Sequence, residues 1–169
     1  LTSRQKVRKM IADNFYGRRD LYVYRNRNVL PRFFSVENVR WLPDGTAVRA
    51  AMARATISEL RRTMFVEDRH REKEQMSGKN LHPAEIQVDS YSSDEIRLTV
   101  VGSGPSALFV GNSYSPYWVA RVDGRVVPIF PANHTFFGLF VPPGSKSVVF
   151  RYEPPIARHI PEFLRFASQ

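Results

Sequence analysis

The dipeptide Asp123-Gly124 carries the strongest conformational instruction in the chain. It sits between VARV (119–122) and RVVPI (125–129). An Asp-Gly pair between β-prone runs suits a two-residue type I′ turn, whose positive φ angles match the twist of paired antiparallel strands. The same grammar repeats along residues 85–152, where short apolar runs are cut by turn residues. It predicts strands over 85–91, 95–101, 107–111, 117–122, 125–130, 135–141 and 147–152. The intervening turns are Ser92-Ser93-Asp94, Gly102–Pro105, Asn112–Pro116, Asp123-Gly124, Pro131–His134 and Pro142–Ser145. Many short strands at this spacing predict a mainly β fold, an antiparallel β-sandwich of Ig-like or jelly-roll-like kind with one or two short helices. Alternation is clearest in the last run, with Val148, Phe150 and Tyr152 on one face and Ser147, Val149 and Arg151 on the other.

The first half follows different rules. Residues 3–15 set Val7, Met10, Ile11 and Phe15 at helical spacing, with Arg4, Lys6, Arg8 and Lys9 among them. Such a basic amphipathic segment can lie on an anionic membrane surface or pack one face on the domain. Leu21 to Tyr24 is β-prone, 26–31 reads as a turn, and Phe33 to Leu42 reads as one strand. Asp44 is placed to cap a helix over 46–55, whose apolar stripe is Val48, Ala51, Met52 and Ala55. Thr63 to Val66 predicts a brief strand, and residues 67–80, dense in charge, predict an exposed loop. After Pro154-Pro155 the tail sets Ile160, Phe163, Leu164 and Ala167 at helical spacing. The expected organisation is a basic amphipathic segment at 1–20, a sandwich domain at 21–155 and a helical tail at 156–169.

Charge divides the chain at the same place. Residues 1–80 hold 18 Lys+Arg against 9 Asp+Glu, the whole of the +9 net charge, while residues 81–169 hold 7 of each. A basic half suits a polyanion such as anionic lipid headgroups, an acidic envelope polymer or nucleic acid, or it is simply a solvated surface. No RRM, KH or helix-turn-helix pattern accompanies it, so nucleic acid is not expected. The 21 aromatic residues argue for a packed core. No run of 18 apolar residues is present to span a membrane. A chain opening on Leu1, without a charged-then-apolar leader, suits a processed product or an excised piece. With no cysteine there is no disulfide and no thiolate nucleophile.

The chain carries few residues in patterns that do chemistry. His70, His82, His134 and His159 have no metal-ligand spacing, and no cofactor motif occurs. Gly102-Ser103-Gly104 lacks the following helix that a phosphate loop needs, and reads as a hairpin turn. Asp89 and Asp123 are the carboxylates a small glycosidase would use, although Asp123 is already explained by its turn. Asn133-His134-Thr135 fits a glycosylation sequon and so an exposed loop. The segment Asn112–Trp118 differs in kind. Tyr114, Tyr117 and Trp118 stand beside small polar residues, as in modules that stack sugar rings on aromatic faces. The competing reading makes Trp118 the core tryptophan of a sandwich strand, with the tyrosines closing its end.

These residues also carry a resemblance. Tyr114, Tyr117-Trp118, Val122-Asp123-Gly124, Pro128-Ile129, Phe136, Val141-Pro142-Pro143-Gly144, Val148 and Phe150-Arg151-Tyr152-Glu153-Pro154 follow one another in order. Upstream stands Arg25-Asn26, then Asn28-Val29-Leu30-Pro31-Arg32-Phe33. Together, over roughly residues 21–155, they resemble the C-terminal soluble domain of YfhO-type bacterial membrane proteins. The long charged segment at 67–80 departs from that pattern. The resemblance implies a multi-span parent similar to C-type glycosyltransferases, which use polyprenyl-phosphate sugars to decorate cell-envelope polymers. It implies an extracytoplasmic domain with catalytic carboxylates elsewhere in the parent, and no cofactor here. The implied partners are the parent's transmembrane part, a glycan or polyprenyl-linked sugar, and the anionic membrane surface. Tyr114, Tyr117 and Trp118 are then the candidate sugar contacts, and Arg4, Lys6, Arg8 and Lys9 the candidate headgroup contacts. A free-standing periplasmic sandwich module binding carbohydrate or anionic polymer is the other reading.

Overall fold

A computed structural model of the chain describes residues 3–15, 26, 29–73 and 80–155. The expected strand at 21–24 and the helical tail at 156–169 lie outside them. Two antiparallel sheets form a sandwich. A four-stranded sheet runs in the order β1 (Phe33–Val36), β6 (Ser106–Val110), β10 (Phe136–Val141), β9 (Phe130–Ala132). A five-stranded sheet runs β4 (Glu85–Tyr91), β5 (Glu95–Val101), β11 (Ser147–Tyr152), β7 (Trp118–Val122), β8 (Arg125–Val127). Between them Ile96, Leu98, Leu108, Val110, Phe137, Leu139, Val148 and Phe150 form a core excluded from solvent.

The sandwich is therefore as the alternation predicts, and Asp123 and Gly124 take the positive φ angles, 47° and 81°, of the expected hairpin. Several local expectations change. The run 33–42 is two strands, because at Glu37 the chain leaves the four-stranded sheet. Its second part, β2 (Asn38–Leu42), pairs in parallel with β3 (Thr63–Glu67) instead. The run 125–130 breaks at Pro128-Ile129 and passes from β8 in one sheet to β9 in the other. Pro131 is tolerated within β9 because β9 is an edge strand. Gly102–Pro105 is likewise no hairpin but a crossing between the sheets, from β5 to β6. It is pinned by the His82 N–H donating to the Pro105 carbonyl at 2.7 Å.

The chain between β2 and β3 makes the parallel crossover. Asp44 caps α2 (Gly45–Arg54), accepting from the Ala47 N–H, and Val48 is the helix's buried residue. Thr56 caps a further short helix, α3 (Ile57–Arg62), which apolar periodicity did not announce. The first part of the expected charged loop is ordered: Glu67 ends β3 and residues 68–73 form a 3₁₀ turn. Arg71 of this turn stands beside the Trp41 ring at 5.9 Å. This layer covers the outer face of the four-stranded sheet. Phe34, Val36, Met64, Val66, Phe109, Phe130 and Phe140 pack there as a second core. Gly138 makes that contact possible, since a Cβ there would lie 2.5 Å from Met64 Sδ. Ahead of the domain stands α1 (Ser3–Phe15), in which every described side chain, from Arg4 to Ile11, is exposed.

Candidate functional site

One end of the sandwich collects aromatic side chains from both sheets. There β4 ends at Tyr91, β11 ends at Tyr152, β7 starts at Trp118, and the 111–117 connection joins β6 to β7. Trp118 and Tyr152 are direct cross-strand partners, so their side chains leave the sheet on one face. Trp118 is 7% exposed and packs on Phe137 with ring centroids 6.0 Å apart, so it is the core tryptophan. Tyr152 meets it edge-on at 5.3 Å and in turn meets Tyr117 edge-on at 6.2 Å. Tyr117 is 41% exposed, and Tyr114 is half-buried against the inter-sheet core.

Of the three predicted sugar contacts, then, the fold buries Trp118, half-buries Tyr114 and leaves Tyr117 open. Backbone bonds fix the loop that carries them. The Tyr114 N–H donates to the Thr135 carbonyl at 2.8 Å, and the Glu153 N–H donates to the Tyr117 carbonyl at 2.8 Å. Asn112 Oδ1 is buried in this loop without a hydrogen-bond partner.

Two residues of this end escaped sequence reasoning. Tyr91 lies beside Phe33 at 5.9 Å and keeps about half of its surface exposed. The guanidinium carbon of Arg32 stands 5.0 Å from the Tyr91 ring centroid, and Arg32 Nη1 donates to the Tyr91 hydroxyl. No carboxylate pairs with Arg32 among the described residues. The two residues lie 59 apart in sequence, and only the packing of β1 on β4 joins them. Glu95 sits nearby on the five-stranded sheet. Hydrogen bonds from Arg97 and Arg151 hold its carboxyl below the usual glutamate range, and the two arginines share its single charge.

The other candidates separate. Asp89 and Asp123 stand on β4 and at the end of β7, three inter-strand steps apart. That is at least about 14 Å, beyond the 6.5–9.5 Å of an inverting carboxylate pair. Asp123 is instead bound by the N–H groups of Ser147 and Lys146, which hold its carboxyl below the ordinary aspartate range. Asp89 accepts the Thr99 hydroxyl at 2.9 Å. The sequon asparagine is not in an exposed loop. Asn133 is 5% exposed, its Oδ1 accepts the Phe65 N–H and its own N–H donates to the Phe65 carbonyl, both at 2.8 Å. It brackets β9 to β3 and is closed to modification.

The described part of α1 bears the predicted cations. At about 100° per residue, Val7, Met10 and Ile11 occupy one stripe about 100° wide, with Lys6 and Arg8 on its two borders. Arg4 falls between Ile11 and Arg8 at one border, and Lys9 lies opposite the stripe. All of these side chains are exposed. No helix among the described residues is long and apolar enough to cross a membrane. Nor do three His, Asp or Glu side chains converge on a common point among them.

No protein-family model matches the chain, and no curated protein matches it. Among solved structures, the arabinofuranosyltransferase AftD from mycobacteria, determined by single-particle cryo-EM, matches with a TM-score of 0.38 and 20% identity. The match covers 42% of this chain and 6% of that one. A mutant form of AftD matches with the same values. The chain thus spans a small fraction of that protein, and a likeness of this size decides neither fold nor chemistry.

Proposed function

We propose that this chain is a non-catalytic extracytoplasmic domain of a multi-span membrane protein of the YfhO and C-type glycosyltransferase kind. In this reading it stands on the outer side of the bacterial cytoplasmic membrane and positions an acceptor or glycan while a cell-envelope polymer is glycosylated. The observation that carries the reading is the open Tyr117 ring, held edge-on by Tyr152 over the buried Trp118. An aromatic ring fixed in place by neighbouring rings loses little side-chain entropy when a sugar stacks on it. The order of the motifs from Arg25 to Pro154 supports the family part of the proposal.

The geometry also suits a membrane partner. β1 is entered and β11 is left at the same end as the tyrosines. A membrane reached through the flanking segments would face that end. α1 would lie on its surface, with Val7, Met10 and Ile11 dipping in and Arg4, Lys6, Arg8 and Lys9 meeting anionic headgroups.

The test is binding of the chain to an array of bacterial glycans and envelope polymers, with Tyr117→Ala beside it. Saturable binding that the substitution reduces at least tenfold is the expected result. A folded chain that binds no glycan would end the positioning role. Co-sedimentation with phosphatidylglycerol vesicles, weakened when Lys6 and Arg8 become Gln, is expected of α1. Equal sedimentation with neutral vesicles would remove that part.

A further inference from the structure

The aromatic end is asymmetric in charge, and that asymmetry bears on which saccharide it takes. Tyr91 sits on β4, Tyr152 two strands away on β11, and Tyr117 just before β7. At about 4.8 Å per strand the strip is roughly 14 Å long, more than a single sugar ring. On the β4 side stands Arg32, tied to Tyr91 by its hydroxyl and ring, with no carboxylate against it among the described residues. Glu153 follows β11 on the Tyr152 side, its N–H on the Tyr117 carbonyl, while Asp94 lies in the β4–β5 turn between, its carboxylate accepting the Ser92 hydroxyl. The next two arginines along the five-stranded sheet, Arg97 and Arg151, lie on its outer face and share the one carboxylate of Glu95.

We infer that this end binds an anionic saccharide in one orientation, with sugar rings on Tyr117 and Tyr152 and a carboxylate or phosphate substituent at Arg32. The inference rests on the glycan reading above and adds the ligand's charge. Three physical points support it. A guanidinium has five donors, and one hydrogen bond to Tyr91 leaves the others for an oxyanion. The ring beside it fixes the fork, so less entropy is lost on pairing. The Glu153 carboxylate at the other side accepts hydroxyls from a neutral ring and repels a second anion, which sets the direction.

The experiment is calorimetric titration of the whole chain with a short oligogalacturonate and with its carboxyl-reduced, neutral counterpart. Arg32→Gln and Tyr117→Ala are run in parallel, and phosphatidylglycerol vesicles serve as a separate arm. The wild type should prefer the uronate about tenfold, the scale of one charge-assisted contact. Arg32→Gln should abolish the preference while keeping affinity for the neutral sugar. Should Arg32→Gln not fold, the preference in the wild type must still collapse at high salt. Equal affinity for the two sugars overturns the inference and leaves the glycan reading standing. Binding of neither sugar by folded protein overturns both. Vesicle binding without sugar binding, lost in Arg32→Gln, overturns it in favour of a membrane-facing end.

Discussion

Strands β6 and β10, SALFV and FFGLFV, are buried at nearly every position, whereas β5 and β11, EIRLTVV and SVVFRY, bury alternate residues. The four-stranded sheet lies between the inter-sheet core and the second core beneath β2, α2 and β3. The five-stranded sheet keeps an outer face of Arg97, Arg121, Arg151 and Gln87 in water. A strand covered on both faces has no reason to alternate, and a strand covered on one face must. The difference separates scaffold from surface. The covered sheet is fixed by packing on both sides, and the open sheet with its aromatic end presents what a partner can reach.

If the covering layer were an appendage, the four-stranded sheet would not depend on it. Phe150 lies between the sheets and Phe130 under the cover, and both are fully buried. Phe150→Ala and Phe130→Ala should each cost about 3–5 kcal/mol. Each should shift a single denaturant transition, followed by fluorescence and circular dichroism together. An early separate transition in Phe130→Ala alone would make the cover an independent unit. A smaller effect is expected at the bracket between layers. Asn133→Ala leaves the buried Phe65 N–H unpaired and should cost about 2 kcal/mol, roughly 4–8 °C in melting temperature. An unchanged melting temperature would mean that β9 and β3 do not depend on it.

The smallest effect belongs to the open sheet. The folded pKa of Asp123 is lowered by the Ser147 and Lys146 N–H groups. Its contribution is therefore complete above the ordinary aspartate value and is lost as pH falls through the lowered folded value. Asp123→Asn should cost no more than about 1 kcal/mol at neutral pH, since the turn is solvent-exposed. The cost should vanish at strongly acid pH. A cost that persists there would mean the loss comes from turn geometry and not from the carboxylate.

Much of the sandwich was legible because period-two alternation and turn chemistry are local. Val148 and Phe150 against Ser147 and Arg151, and the Asp123-Gly124 turn, needed no neighbours to be read. What failed was assignment to sheets. Nothing local in 33–42 marks Glu37 as the point of departure, and nothing in Gly102–Pro105 separates a hairpin from a crossing. α3 was missed because a six-residue helix with no buried residue has almost no apolar period. At the candidate site Tyr117 was readable as an aromatic beside small polar residues. Tyr91 and Arg32 were not, since their pairing is made by β1 packing on β4.

That residues 85–152 form short antiparallel strands, where they turn, and that all excess charge precedes them is written in the chain itself. These follow from side-chain alternation, backbone preference and composition, each set within a few residues. Which strands share a sheet, that Trp118 is core while Tyr117 is surface, and that Asn133 is an internal bracket came only with folding. Those outcomes depend on which apolar faces find each other across long separations, and burial is a property of the assembled layers, not of any one segment.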